Sequence, residues 1–246
     1  MSKYFYIFTT TIACFIVSFS GCQTPQSLTC AIPDKSTNHS IEPKEILATD
    51  ISFDSSTGEI KYTLPEPALV RIRIGITQGG ALLRHLLDWD YRDAGAHVEV
   101  WDMKDETGTV NFTGRTDLML VLSCRAVGSG PKDVISMSGL RKAPRVDVGF
   151  PKSTETTEDG IVVIRDIMPV RVTLDKEDQK WITETKFEVG LFIDNVFLME
   201  DEEGANPFTY QLNTRGLNEG IHTITVNIVG YQGEVGTKSV LMYIKK

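Results

Sequence analysis

One stretch constrains this chain more than any other: the alternation that runs from Gly58 to Asp102. GEIKYTLPEPALVRIRIGI, a turn, ALLRHLL, a loop and AGAHVEVWD place apolar side chains at every second position. That is the period of a strand with one buried face. Ile60, Tyr62 and Leu64 form one row, and Val70, Ile72, Ile74 and Ile76 form the next. Pro65 and Pro67 divide the rows, as prolines do where a ladder must stop. On this pattern Arg71 and Arg73 point into water.

The same period returns through the rest of the chain. Ile51 and Phe53 alternate before the Ser55-Ser56-Thr57-Gly58 turn, and Leu118, Leu120 and Leu122 share a face with Cys124. Phe187, Val189, Leu191 and Ile193 run into Asp194-Asn195, a residue pair suited to a tight hairpin. His222, Ile224, Val226 and Ile228 then share one face, with Thr223, Thr225 and Asn227 on the other. Gly79-Gly80 reads as a hairpin turn, not a phosphate loop. Strand signals spaced about eight to twelve residues apart, Gly and Pro turns and no helical period predict an all-β protein. At 246 residues there is room for two tandem β-sandwiches, each with its own core.

The amino terminus reads differently. Lys3 precedes a mostly apolar run, Tyr4 to Phe19, which ends at Ser20-Gly21-Cys22. A basic start, a short apolar stretch and small residues before a cut site describe a signal peptide. The run is too short, and too interrupted by Thr9, Thr10 and Thr11, for a membrane span. From Gln23 to about Pro43 the chain is polar and aperiodic, a tether. The expected organisation is a signal peptide over 1–21, a flexible tether over 22–45, a first sandwich over 46–127, a linker over 128–159 and a second sandwich over 160–246. Within that linker, which is rich in Gly and Pro and contains STETTEDG, Val146, Val148 and Phe150 alternate as an edge strand would.

Phe19-Ser20-Gly21-Cys22 resembles the lipobox of bacterial lipoproteins, with Phe19 where that family usually has Leu. The resemblance implies that Cys22 becomes the lipidated first residue. Gln23, which is not the Asp associated with inner-membrane retention, then implies the outer membrane of a two-membraned cell. TGEIKYTLPEPALVRIRI and GAHVEVWDMKDETG are similar to the Ig-like domain first named in the flagellar hook-capping protein, an accessory module of secreted proteins. Leu217-Asn218-Glu219-Gly220-Ile221-His222-Thr223 resembles the turn-and-strand signature of bacterial Ig-like domains. The charge, 25 basic against 33 acidic residues for a net −8, disfavours nucleic acid and anionic headgroups as partners. Acyl chains, at about 0.8 kcal/mol per buried methylene, would hold an acidic body on a membrane.

Candidate chemistry is sparse. The four histidines, His39, His85, His97 and His222, show no i, i+4 spacing, and Cys-x-x-Cys does not occur. His97 and His222 each follow a turn glycine at a strand start, a packing position in both resembled families. Gly128-Ser129-Gly130 lacks the setting of a nucleophile elbow. These patterns name no catalytic residue, metal site or cofactor. With Cys14 leaving in the signal peptide and Cys22 acylated, Cys30 and Cys124 remain as a candidate disulfide, or as a free tether thiol and a buried one. LLDWDYRDAG reads as an exposed loop. Its Asp88, Asp90 and Asp93 are either solvated or a weak calcium motif, and Trp89 and Tyr91 are a candidate glycan platform. Lys132, Arg141, Lys142 and Arg145 form a basic cluster, either solvated or a site for an acidic partner. The expected function is a non-catalytic, membrane-anchored structural or protein-interaction module with envelope proteins as partners; a glycan-binding or adhesion lipoprotein is the alternative.

Overall fold

In the computed structural model, residues 44–127 and 139–246 are described. The expected signal peptide, Cys22, Cys30 and nearly all of the tether lie outside the described residues, as does the first third of the linker, 128–138.

The first sandwich contains β1 (Glu45–Ile46), β2 (Thr49–Asp54), β3 (Glu59–Leu64), β4 (Ala68–Ile76), β5 (Leu82–Arg92), β6 (Gly95–Val100) and β7 (Leu118–Ala126). One sheet has the order β1-β7-β4-β5 and the other β2-β3-β6, all antiparallel. The alternating rows supply the inner faces. Ile60, Tyr62 and Leu64 meet Val70, Ile72, Ile74, Trp101 and Cys124, all of them buried. Gly58, at φ 76, turns β2 into β3 so closely that a Cβ there would lie 2.0 Å from the Trp101 carbonyl oxygen.

The second sandwich contains β8 (Val146–Gly149), β9 (Val162–Ile164), β10 (Ile167–Leu174), a helix α1 (Lys176–Ile182), β11 (Phe187–Ile193), β12 (Val196–Asp201), β13 (Phe208–Asn213), β14 (Gly220–Gly230) and β15 (Val235–Ile244). Its sheets run β13-β10-β8 and β12-β11-β14-β15-β9, with β9 parallel to β15. The architecture is all-β in two tandem sandwiches, as the periodicity predicts. Asp194 and Asn195 both take positive φ, 50° and 66°, as a two-residue hairpin with right-handed twist needs.

The edge strand expected from Val146 and Val148 forms: Val146–Gly149 pairs with β10, so the second sandwich takes in a strand from the segment read as linker. Two local expectations change. Helix α1 is short but real: the Asp175 side chain caps it by accepting the Glu177 N–H, and Ile182 anchors it in the core. Arg71 and Arg73 do not face water, because the outer face of β4 is covered; Arg71 is 4% exposed.

Candidate functional site

What covers that face is the second sandwich, and the seam between the two is where most unusual side chains meet. The first contact is the end of the β4–β5 hairpin. Ala81, Leu82 and Leu83 are buried there. Asn227 of β14, 0% exposed, grips the Leu82 main chain from the other domain. Its Oδ1 accepts the Leu82 N–H at 2.8 Å, and its Nδ2 donates to the Leu82 carbonyl at 3.0 Å and to Thr237 Oγ1 at 2.9 Å. Thr237 completes the ring by donating to the same carbonyl at 2.7 Å. Beside it Thr225 and Ser239 bond each other at 2.9 Å, both buried. Phe192 of β11 and Leu241 of β15 extend the first sandwich's core across the seam. The polar row of β14 is therefore an interdomain face, and each buried polar group on it that grips Leu82 has a partner, as burial demands.

The second contact is a charged layer on the outer face of β4 and β5. The Arg71 guanidinium meets Asp88 Oδ1 through Nε and Nη2, each at 2.8 Å, and Nη2 also donates to the Arg141 carbonyl. Its Cζ sits 4.4 Å from the centroid of the Trp89 ring. Asp88 Oδ2 accepts the Ala143 N–H at 2.6 Å, and Trp89 Nε1 donates to the Arg141 carbonyl at 3.2 Å. Arg141 in turn lies 5.0 Å from the Trp181 ring of α1. Arg73 donates to the Gly233 carbonyl at 3.3 Å, and burial, followed by the Arg71 charge, lowers its pKa to about 10. His85 Nε2 bonds the Val235 carbonyl, so that nitrogen carries the proton. Burial drives its pKa down to about 4, holding the ring neutral.

Between these contacts lies a cleft of about 380 Å³ lined by His85, Asp88, Asp90, Glu106, Arg145 and Lys238 among others. Its carboxylates are engaged by the protein itself. Asp90 accepts the Asp88 N–H at 3.1 Å, and Glu106 accepts the His85 N–H at 2.9 Å. Arg145 fans onto Asp175, Glu177 and Asp178 at 2.7–3.1 Å, bracing the chain's entry into the second sandwich. Such an arrangement fixes two domains against each other; Asp88, Asp90, Glu106 and Arg145 are committed to protein partners.

The expected site residues land as follows. Trp89 is 8% exposed and turned inward, so it is no glycan platform; Tyr91 is half-buried and donates its hydroxyl to Asp93 Oδ1 at 2.8 Å. LLDWDYR is strand β5, not a loop, and Trp89 is the extra residue of a bulge between Val70 and Arg71, at φ 64. Asp88, Asp90 and Asp93 are not gathered around one point, and no group of three or more candidate metal ligands occurs among the described residues. Cys124 is buried in the first core, where burial raises its pKa to about 11; Cys30 is outside the described residues, so their pairing stays an expectation. His97 stacks on Tyr62 at 5.2 Å and bonds the Asp93 carbonyl at 2.7 Å. His222 links Asp194 Oδ2 at 2.6 Å to the Asn218 carbonyl at 3.0 Å, tying a turn to a strand start. Of the basic cluster, Arg141 and Arg145 belong to the seam. Sequence reasoning missed Asn227, Thr237 and Leu82, whose only signal was polar residues in a strand-rich segment.

No family model matches the chain, and no curated protein matches it. Among solved structures it is similar to the endo-β-1,4-mannanase of Thermotoga petrophila over 46% of this chain and 22% of that one, at 13% identity and a TM-score of 0.32. Fibronectin(III)-like modules of Clostridium thermocellum CbhA match over 41% of this chain and 96% of theirs, at 20% identity and a TM-score of 0.29. The β-glucuronidase of Ruminococcus gnavus matches over 78% of this chain and 37% of that one, at 12% identity and a TM-score of 0.25. The chain spans less than two fifths of the length of either enzyme. Likeness at this level assigns no activity.

Proposed function

We propose that this protein is a lipid-anchored, non-catalytic module of the cell envelope, attached through Cys22 to the outer membrane and serving as a spacer that presents a surface to other envelope proteins. The observation that carries the reading is the seam: Asn227 and Thr237 hold the Leu82 main chain while Phe192 completes the neighbouring core. Two sandwiches fixed in this way act as one body, which is what a spacer needs and a pair of freely hinged modules lacks. The anchor rests on the apolar run that ends in Ser20-Gly21-Cys22. The test is Cys22→Ala expressed in the native host. Palmitate labelling and the membrane fraction are expected to be lost together, along with the envelope proteins that co-purify with the unaltered chain. A variant that keeps its label and stays in the membrane would overturn the anchor.

A further inference from the structure

Of the described histidines, His97 and His222 bond within their own sandwiches, whereas His85 reaches from one sandwich to the other. Its Nε2–H, on β5, donates to the Val235 carbonyl of β15. The residue is half-buried at the wall of the cleft, but Nδ1 itself is buried and has no hydrogen-bond partner among the described residues. A neutral imidazole has one N–H, and here that N–H is satisfied. An imidazolium carries a second, at Nδ1, and burying it without an acceptor is costly.

The surrounding charges do not make good that cost. On β4, Arg73 is the register partner of His85, and Arg71 lies two residues along. Arg84 precedes it on β5, while Lys238 of β15 and Arg145 line the same cleft. The carboxylates nearby are already engaged. Asp88 meets Arg71 and the Ala143 N–H, and Asp90 accepts the Asp88 N–H. Glu106 holds the His85 main-chain N–H and pairs with Arg84, and Glu234 accepts the Gln232 N–H.

We infer that His85 makes the seam an acid-sensitive joint: a proton at Nδ1 favours the state in which the ring has left Val235 and the sandwiches have parted. The inference rests on the seam and not on the lipid anchor, so the two can fail separately. With the sandwiches parted the ring is solvated and titrates at the ordinary 6.5. In the closed seam burial, and after it the Arg71 and Arg73 charges, hold it at about 4. The parted state therefore binds more protons between those values. Closure is fully favoured above pH 6.5 and is progressively weakened as pH falls toward 4. At pH 5 the parting equilibrium should lie about thirtyfold further toward the open state than at pH 7.5.

The test uses the full chain and amide hydrogen exchange. The Leu82 N–H reports the seam, since its acceptor is Asn227 of the other sandwich. Corrected for the intrinsic effect of pH on exchange, its protection is expected to fall about thirtyfold from pH 7.5 to pH 5. His85→Gln keeps an N–H for the Val235 carbonyl but takes up no proton, so its Leu82 protection should be nearly equal at the two pH values. An equal fall in both chains, or none in the unaltered one, would overturn the inference. A second measurement needs no variant. Ring-proton NMR of His85 in the unaltered chain should show a midpoint well below the ordinary histidine range, and a midpoint near 6.5 in the folded protein would also overturn it.

Discussion

Asn227→Ala tests the seam most directly. The side chain makes three hydrogen bonds to groups outside its own strand at 2.8–3.0 Å and is wholly buried. After truncation the Leu82 carbonyl still has Thr237, but the Leu82 N–H has no acceptor and is sealed from water. An orphaned buried donor costs about 1–3 kcal/mol. The vacated amide volume adds about 1 kcal/mol if the seam does not close over it. The expected loss is therefore about 2–4 kcal/mol, a large part of the stability of an ordinary domain. Urea unfolding followed by tryptophan fluorescence suits the question, since Trp89 sits at the seam, Trp101 in the first core and Trp181 on α1. The midpoint should fall by about 1 M or more, with the Trp89 signal changing ahead of the rest. A midpoint within error of the unaltered chain, with one coincident transition, would show that the Leu82 contact does not couple the sandwiches.

Two further substitutions probe charge. Arg71→Met leaves Asp88 charged and facing a covered layer, so about 2–4 kcal/mol of stability should be lost by chemical denaturation; adding Asp88→Leu should restore most of it, and no recovery would refute the pairing argument. Glu200 is held at a pKa of about 7, first by burial and then by the Glu188 and Glu202 charges. A folded value above the ordinary one means stability that is full below pH 4.5 and lost as pH rises through about 7. Glu200→Gln should therefore stabilise the protein by about 1 kcal/mol at pH 8 and leave it unchanged at pH 4, read from melting temperatures at both; equal gains at both pH values would refute the cause.

The inner rows were legible because a buried face imposes a period of two on the sequence itself. Ile60, Tyr62, Leu64, Val70, Ile72 and Ile74 are all buried, and Cys124 joins them by parity. The outer faces were not legible, because what covers them lies far along the chain. The face of β14 that carries Asn227 is met by a hairpin some 145 residues earlier, and Arg71, expected to point into water, is closed over by Arg141 and Asp88. In β5 three register shifts break the parity on which such reading depends, which is how Trp89 passed for a loop residue. The helix had left a signal that went unread: Asp175 before Glu177 and Asp178, with Lys180 in the last turn.

The grip on Leu82 has a consequence for how this sequence can change over generations. Asn227 and Thr237 recognise an amide and a carbonyl, groups that every residue except proline presents in full. Drift at position 82 among apolar residues therefore leaves the polar ring intact. Length is another matter. One residue gained or lost in the turn between β4 and β5 would present a neighbouring peptide unit to Asn227, rotated to the opposite side of the strand. Relatives of this chain that keep the seam should vary freely in the letters of that hairpin and hold its residue count fixed.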